Sequence, residues 1–111
     1  MSKYSNWTIG GKIVRDDERY VVKDNTDLKN LVLSSTRLKP NQSTGGHAHE
    51  GQEEIYFFAL GDGTMQLNDT MIEVTAGDTV MVPDGAFHRV FNNDENTSMY
   101  FICVFNGKRE E

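Results

Sequence analysis

The sequence predicts an all-β protein, a sandwich or barrel of short strands. Three observations carry this expectation. Turn signals recur along the chain: Gly10-Gly11, Asp24-Asn25, Pro40-Asn41, Gly45-Gly46, Gly61-Asp62-Gly63, Asn68-Asp69, Gly77-Asp78, Asp84-Gly85 and Asn92-Asn93 cut it into short pieces. The runs between them alternate or are fully apolar, and are crowded with Val, Ile, Thr, Phe and Tyr, side chains that suit a pleated surface. No window of a dozen residues carries an apolar stripe at helical spacing with caps at its ends.

Taken in order, Lys12 to Val14 and Arg19 to Val22 read as short strands and Leu28 to Leu38 as a longer one. Glu54 to Leu60, Thr64 to Leu67, Met71 to Val74, Thr79 to Val82, His88 to Phe91 and Ser98 to Phe105 follow. Pro40 comes just after a strand, where its missing N–H costs the ladder nothing, and Pro83 closes another ahead of a turn. Gly107 to Glu111 reads as a frayed tail. No internal repeat or linker interrupts the chain, and 111 residues suffice for one core but not two, so residues 1–111 read as a single domain.

The charge balance narrows the function classes. Seventeen acidic residues against eleven basic ones give a net charge of −6, which argues against nucleic acid or an anionic membrane as partner, because phosphate binders cluster Lys and Arg. No apolar run approaches the length of a membrane span, and Met1 to Asn6 lacks the apolar h-region of a signal peptide. Cys103 is the single cysteine, so no intrachain disulfide can form. These features lead us to expect a cytoplasmic protein with a small-molecule partner.

The chemistry concentrates in two segments. All three histidines of the chain, His47, His49 and His88, fall within Gly46 to Gly61 and Gly77 to Asn92. In an extended chain alternate side chains share a face, so His47 and His49 point the same way, and an antiparallel return would bring Glu54 back across from them. A carboxylate sharing a face with Tyr56, Phe58 and Leu60 is costly to bury unless it is paired or metal-bound. A lone His-x-His is nevertheless a weak signal, and Glu53 competes with Glu54 for the acidic role. In the second segment, Gly77-Asp78 is expected to form a hairpin turn, Thr79 to Val82 a buried strand and Pro83-Asp84-Gly85 a tight turn. His88 then opens a strand that carries Val90 and Asn92 on its own face.

Together the two segments resemble the paired motifs of the cupin superfamily. The first reads His47-x-His49-x4-Glu54-x6-Gly61, and departs from the family pattern only at its leading glycine, where this chain has Asn41. The second, Gly77-x5-Pro83-x-Gly85-x2-His88-x3-Asn92, matches at every fixed position. The resemblance implies an antiparallel jelly-roll β-barrel and selects Glu54 over Glu53 by the spacing to Gly61. It also implies that His47, His49, Glu54 and His88 bind one divalent metal ion inside the barrel. Three imidazoles and a carboxylate suit Fe, Mn, Ni, Co, Cu or Zn, and an octahedral ion so held keeps two positions for a ligand.

By parity with Glu54 and His88, the pocket wall is expected to include Tyr56, Phe58 and Val90. Tyr56 is the expected catalytic side chain, its hydroxyl donating to a substrate or orienting Glu54. Met65, Met81, Phe101 and Cys103 are further wall candidates whose facing the sequence leaves open. Arg89 is expected to point away from the ion as a solvated charge, and Arg37 and Lys39 to sit at an exposed strand end near the barrel mouth. Trp7 is expected to pack over a barrel end or a dimer contact. The resemblance implies either an enzyme (dioxygenase, isomerase, decarboxylase or lyase) acting on a small polar metabolite, or a non-catalytic module that binds or senses a ligand. A homodimer paired through the edge at Lys12 to Val22 is the expected assembly.

Overall fold

The computed structural model describes residues 3–107, and these described residues form nine strands and no helix. They are β1 (Lys12–Asp16), β2 (Tyr20–Asn25), β3 (Leu31–Leu38), β4 (Glu54–Leu60), β5 (Asp62–Leu67), β6 (Thr70–Thr75), β7 (Thr79–Val82), β8 (His88–Phe91) and β9 (Met99–Asn106). A six-stranded sheet in the order β1-β2-β3-β9-β4-β7 faces a three-stranded sheet in the order β6-β5-β8, and every pairing is antiparallel. This is the expected all-β jelly-roll barrel. Each expected strand appears, with ends shifted by a few residues where side chains alternate less clearly.

The core lies between the sheets because alternate residues of each strand turn inward. Tyr56 and Phe58 of β4 meet Met65 of β5, Val90 of β8 and Phe101 and Phe105 of β9. β9 is covered on both faces. Its other face buries Tyr100 and Ile102 against Ile9, and Trp7 stacks on the Tyr100 ring with centroids 4.9 Å apart. Trp7 therefore packs on the outside of the larger sheet and remains more than half exposed. The tail expected at Gly107 to Glu111 falls outside the described residues from position 108 onward, and Gly107 itself donates its N–H to the Asn30 carbonyl.

Three local expectations are corrected. Gly77-Asp78 does not join a paired hairpin: β6 pairs with β5 and β7 with β4, so the turn carries the chain from one sheet to the other. β7 is not a buried strand but a half-buried edge, with Met81 outward and 61% exposed. Leu60 leaves the face of Tyr56 and Phe58 because the β4–β9 register slips between Phe58 and Leu60, a bulge that turns its side chain outward.

Two motif positions are explained by this framework. Asn41, standing where the family pattern has glycine, has φ +59°, a left-handed backbone that asparagine tolerates better than most residues. Asn92 is buried beneath the loops, and its side-chain amide donates to the carbonyls of Leu38 at 3.1 Å and Thr97 at 2.9 Å, while its carbonyl oxygen accepts the Asp94 N–H at 3.0 Å. It ties the end of β3 to the loop between β8 and β9. Asn92→Ala would strand buried carbonyls at about 1–3 kcal/mol for each unsatisfied group. We expect its melting temperature to fall by roughly 10 °C, measured by circular dichroism.

Candidate metal centre

The site is built where three chain segments meet. Glu54 opens β4, flanked in register by Val82 on one side and Phe105 on the other. His88 opens β8, in the opposite sheet. His47 comes from the segment before β4, which runs alongside β8 without forming a regular strand. Its backbone exchanges two hydrogen bonds with His88, at 3.2 and 3.0 Å, in an isolated bridge. The expected crossing of Glu54 opposite the His-x-His pair is thus replaced by a direct His47–His88 pairing, with β4 entering from the other sheet.

Gly45-Gly46 makes this possible. Ser43 pairs with Phe91 but His47 with His88, so the pairing slips by one residue between them. Gly46 adopts φ +47° and lies under the Phe87 ring, where an added Cβ would sit 2.6 Å from a ring carbon. Arg89 holds the same segment from the side. Its Nε donates to the Thr44 carbonyl at 2.9 Å and its Nη2 to the Ser43 hydroxyl at 3.0 Å, and its guanidinium lies 4.9 Å from the Phe91 ring centre. Arg89 is therefore not the solvated charge expected from its parity. It clamps the strand-like segment that presents His47.

One potential ligand atom each from His47, Glu54 and His88 lie within 4.8 Å of one another, a cluster that can hold a metal ion. His49 stands beside it, its ring centroid 4.7 Å from that of His47, and lines the same cavity. His88 and Glu54 are nearly inaccessible, with 3% and 7% of their side-chain surfaces exposed.

The closest contact supplies a test of fit. His88 Nδ1 lies 3.0 Å from the Ala86 carbonyl, an oxygen that can only accept, so Nδ1 carries a proton. His88 Nε2 then faces Glu54 Oε2 at 2.7 Å. The distance is that of a strong hydrogen bond, but the direction is not, and Nε2 has no hydrogen-bond partner of acceptable geometry. A neutral imidazole would set its lone pair against a carboxylate oxygen. Only a proton or a cation between them relieves that contact. Two such atoms with a His47 ligand atom within 4.8 Å suit a metal ion, and the Nδ1 bond to a carbonyl is the usual support of a ligating histidine. The donor set fits a divalent transition metal.

In the metal-free state the proton fills this role. Burial pushes the Glu54 carboxyl up, but the His88 imidazole, the Cys103 thiol and the charge of His47 outweigh it and hold the carboxyl below its ordinary range. Burial pushes the His88 imidazolium down, and the adjacent Glu54 carboxylate and the bond to the Ala86 carbonyl outweigh that, so its pKa is raised.

The cavity beside the cluster has a volume of about 290 Å³, suited to a small metabolite. Tyr56 lines it, its ring edge-on to His88 at 5.7 Å between centroids. Phe58 and Val90, expected beside Tyr56, are not in its wall. They share the inward faces of their strands but lie in the packed core, with 0% and 1% exposure. Of the four candidates left open, Phe101 and Cys103 line the cavity, Met65 is core and Met81 faces outward. Arg37 and Lys39 are also absent from the wall. Arg37 lies over the Tyr100 ring on the outer face, and Lys39 donates to the Asp17 carbonyl at 2.8 Å. The cationic side chains at the cavity are Arg15 and Arg19, brought by β1 and its turn into β2, with Ser34, Thr36, Thr44 and Gln52 adding polar groups. Nothing local in the sequence marks these residues. They reach the site through strand pairing across the sheet.

The comparisons agree with this geometry. The family model described as a cupin domain matches residues 34–105, which hold the whole cluster. The chain belongs to the cupin family. An oxalate-binding protein of Thermotoga maritima is 32% identical over 95 residues, covering 86% of this cupin and 78% of the relative. A solved Thermotoga maritima protein, reported as a predicted oxalate decarboxylase, superposes with a TM-score of 0.72 at 28% identity, over 78% of this cupin and 79% of that chain. The polyketide cyclase RemF of Streptomyces resistomycificus shares the fold, with a TM-score of 0.79 at 23% identity over 100% of this cupin and 82% of that chain.

The sign of the pKa shifts gives a pH signature for the chelator-stripped protein. The lowered Glu54 contributes stability above its ordinary value of 4.5 and loses it as pH falls through the folded-state value. The raised His88 contributes fully below 6.5 and loses it as pH rises through its higher folded-state value. Urea unfolding of the stripped protein should therefore show a stability maximum between these values. His88→Leu should abolish the loss on the alkaline side.

Proposed function

We propose that this cupin is a metal-dependent enzyme that binds one divalent transition-metal ion through His47, His49, Glu54 and His88 and acts on a small chelating carboxylate in the adjoining cavity. The observation that carries the reading is the buried contact between His88 Nε2 and Glu54 Oε2 beside a cavity that Glu54, His47 and His49 line. When bound, such an ion supplies Lewis acidity to a carboxylate or hydroxy-keto group, or redox chemistry, according to its identity.

The chain's own residues divide the remaining work. Arg15 and Arg19 give the cavity wall positive charge, which favours an anion in an otherwise acidic protein. Part of the Arg19 charge is offset by Asp17, 3.2 Å away, so Arg15 has the larger effect on an incoming anion. Tyr56 donates its hydroxyl proton to a substrate oxygen or orients Glu54. Phe101 and Phe105 exclude water from one side of the cavity. Residues 1–111 act as one domain, and the exposed edge strand β1 is the surface through which we expect two copies to pair. Among the described residues no helix is long and apolar enough to cross a membrane, and we take the working compartment to be the cytoplasm.

Oxalate is the first ligand to test, because the 32% identical relative is an oxalate-binding protein. The same relative favours a second reading, in which the chain binds the ligand without converting it. Protein stripped with chelator and reloaded with Mn(II) or Fe(II) should bind oxalate in calorimetry, and the stripped protein should not. His88→Ala should lose both metal and oxalate. Release of carbon dioxide or uptake of oxygen by the loaded protein separates the enzyme from the binding module. A wild-type protein that takes up no stoichiometric metal would overturn both readings.

A further inference from the structure

We infer that Cys103 is the positioning residue that keeps Glu54 a one-oxygen ligand of the centre, an inference that rests on the metal-binding reading above. The two oxygens of this carboxylate have different partners. Cys103 Sγ lies 3.1 Å from Oε1 and donates to it, whereas Oε2 is the oxygen that faces His88 Nε2 at 2.7 Å. The assignment is built into the sheet. Cys103 stands directly opposite Tyr56 in the β4–β9 register, which places it diagonally from Glu54 on the same inward face. Thiol and carboxylate are both buried, with exposures of 6% and 7%.

The independent sign that a ligand belongs here is His88 Nε2, buried and without an acceptable hydrogen bond. A carboxylate unrestrained at both oxygens can close on an ion with both, as carboxylate ligands often do. That would use one of the two positions that four single-atom protein ligands leave on an octahedral ion. A chelating substrate needs both. Cys103 occupies Oε1 and so reserves that position. A thiol suits the task because it donates weakly and carries no charge, so it holds the oxygen without repelling a cation. A lysine in its place would set a positive charge beside the ion.

The test compares wild type with Cys103→Ala, Cys103→Val and Cys103→Ser, each stripped of metal and then titrated with Mn(II). Infrared difference spectra, loaded minus stripped, report the separation between the antisymmetric and symmetric carboxylate stretches. The separation is wide for one-oxygen and narrow for two-oxygen coordination. We expect the alanine and valine variants to narrow it and to weaken Mn(II) binding by on the order of tenfold, the loss typical of removing a ligand's supporting bond. The serine variant, which retains a donor, should keep both properties near wild type. Valine preserves buried volume, and melts of the stripped proteins identify any variant that misfolds. An unchanged separation in folded alanine and valine variants would overturn the inference. So would a thiolate-to-metal charge-transfer band in Co(II)-loaded wild type, which would make Cys103 itself a ligand. Wild type that binds no Mn(II) would instead overturn the metal-centre reading beneath it.

Discussion

An imidazole nitrogen and a carboxylate oxygen stand 2.7 Å apart inside a barrel otherwise filled with aromatic and branched side chains. Burying that pair is costly, and the surrounding structure reads as the means of sustaining it. The Ala86 carbonyl fixes the His88 ring, Cys103 takes the second Glu54 oxygen, and Arg89 secures the segment that brings His47 alongside. The two sheets hold the two halves of the contact, so their packing sets its geometry.

The loops carry a second layer of the same constraint. Asn41 bends the chain with positive φ just before the stretch that pairs with β8, and Gly46 does so within it. Asn92 joins the end of β3 to the loop between β8 and β9 through its side-chain amide. Asn41 is instructive because it departs from the family's glycine yet adopts a glycine-like backbone. The motif position specifies a conformation, and asparagine is one of the few other residues that reaches it without large strain.

Much of the fold was legible in the sequence, for local reasons. Period-two alternation and frequent turn residues marked the strands, and β4, β7 and β8 fall at their expected bounds. The convergence of His47, Glu54 and His88 was legible only through the motif spacing, since 41 positions separate the first and last of them. Parity fixed which side of a strand Phe58 and Val90 occupy but not their depth, and they lie in packed core away from the cavity. The partnership of Cys103 with Glu54 depends on which strands are neighbours and in what register, which a single sequence does not encode locally. The same is true of Arg15 and Arg19, and of Arg89, whose outward parity hid a structural contact with Ser43 and Thr44.

The placement of Glu54 in one sheet and of His88 in the other has a thermodynamic consequence. An ion gripped by both, and by His47, closes a chain loop of about forty residues and pins the sheets together, as a removable crosslink would. Its binding energy counts only for the folded chain, because the unfolded chain cannot gather the three ligands. The lifetime of this protein would then follow the supply of its metal, with the empty form the one most open to unfolding and proteolysis.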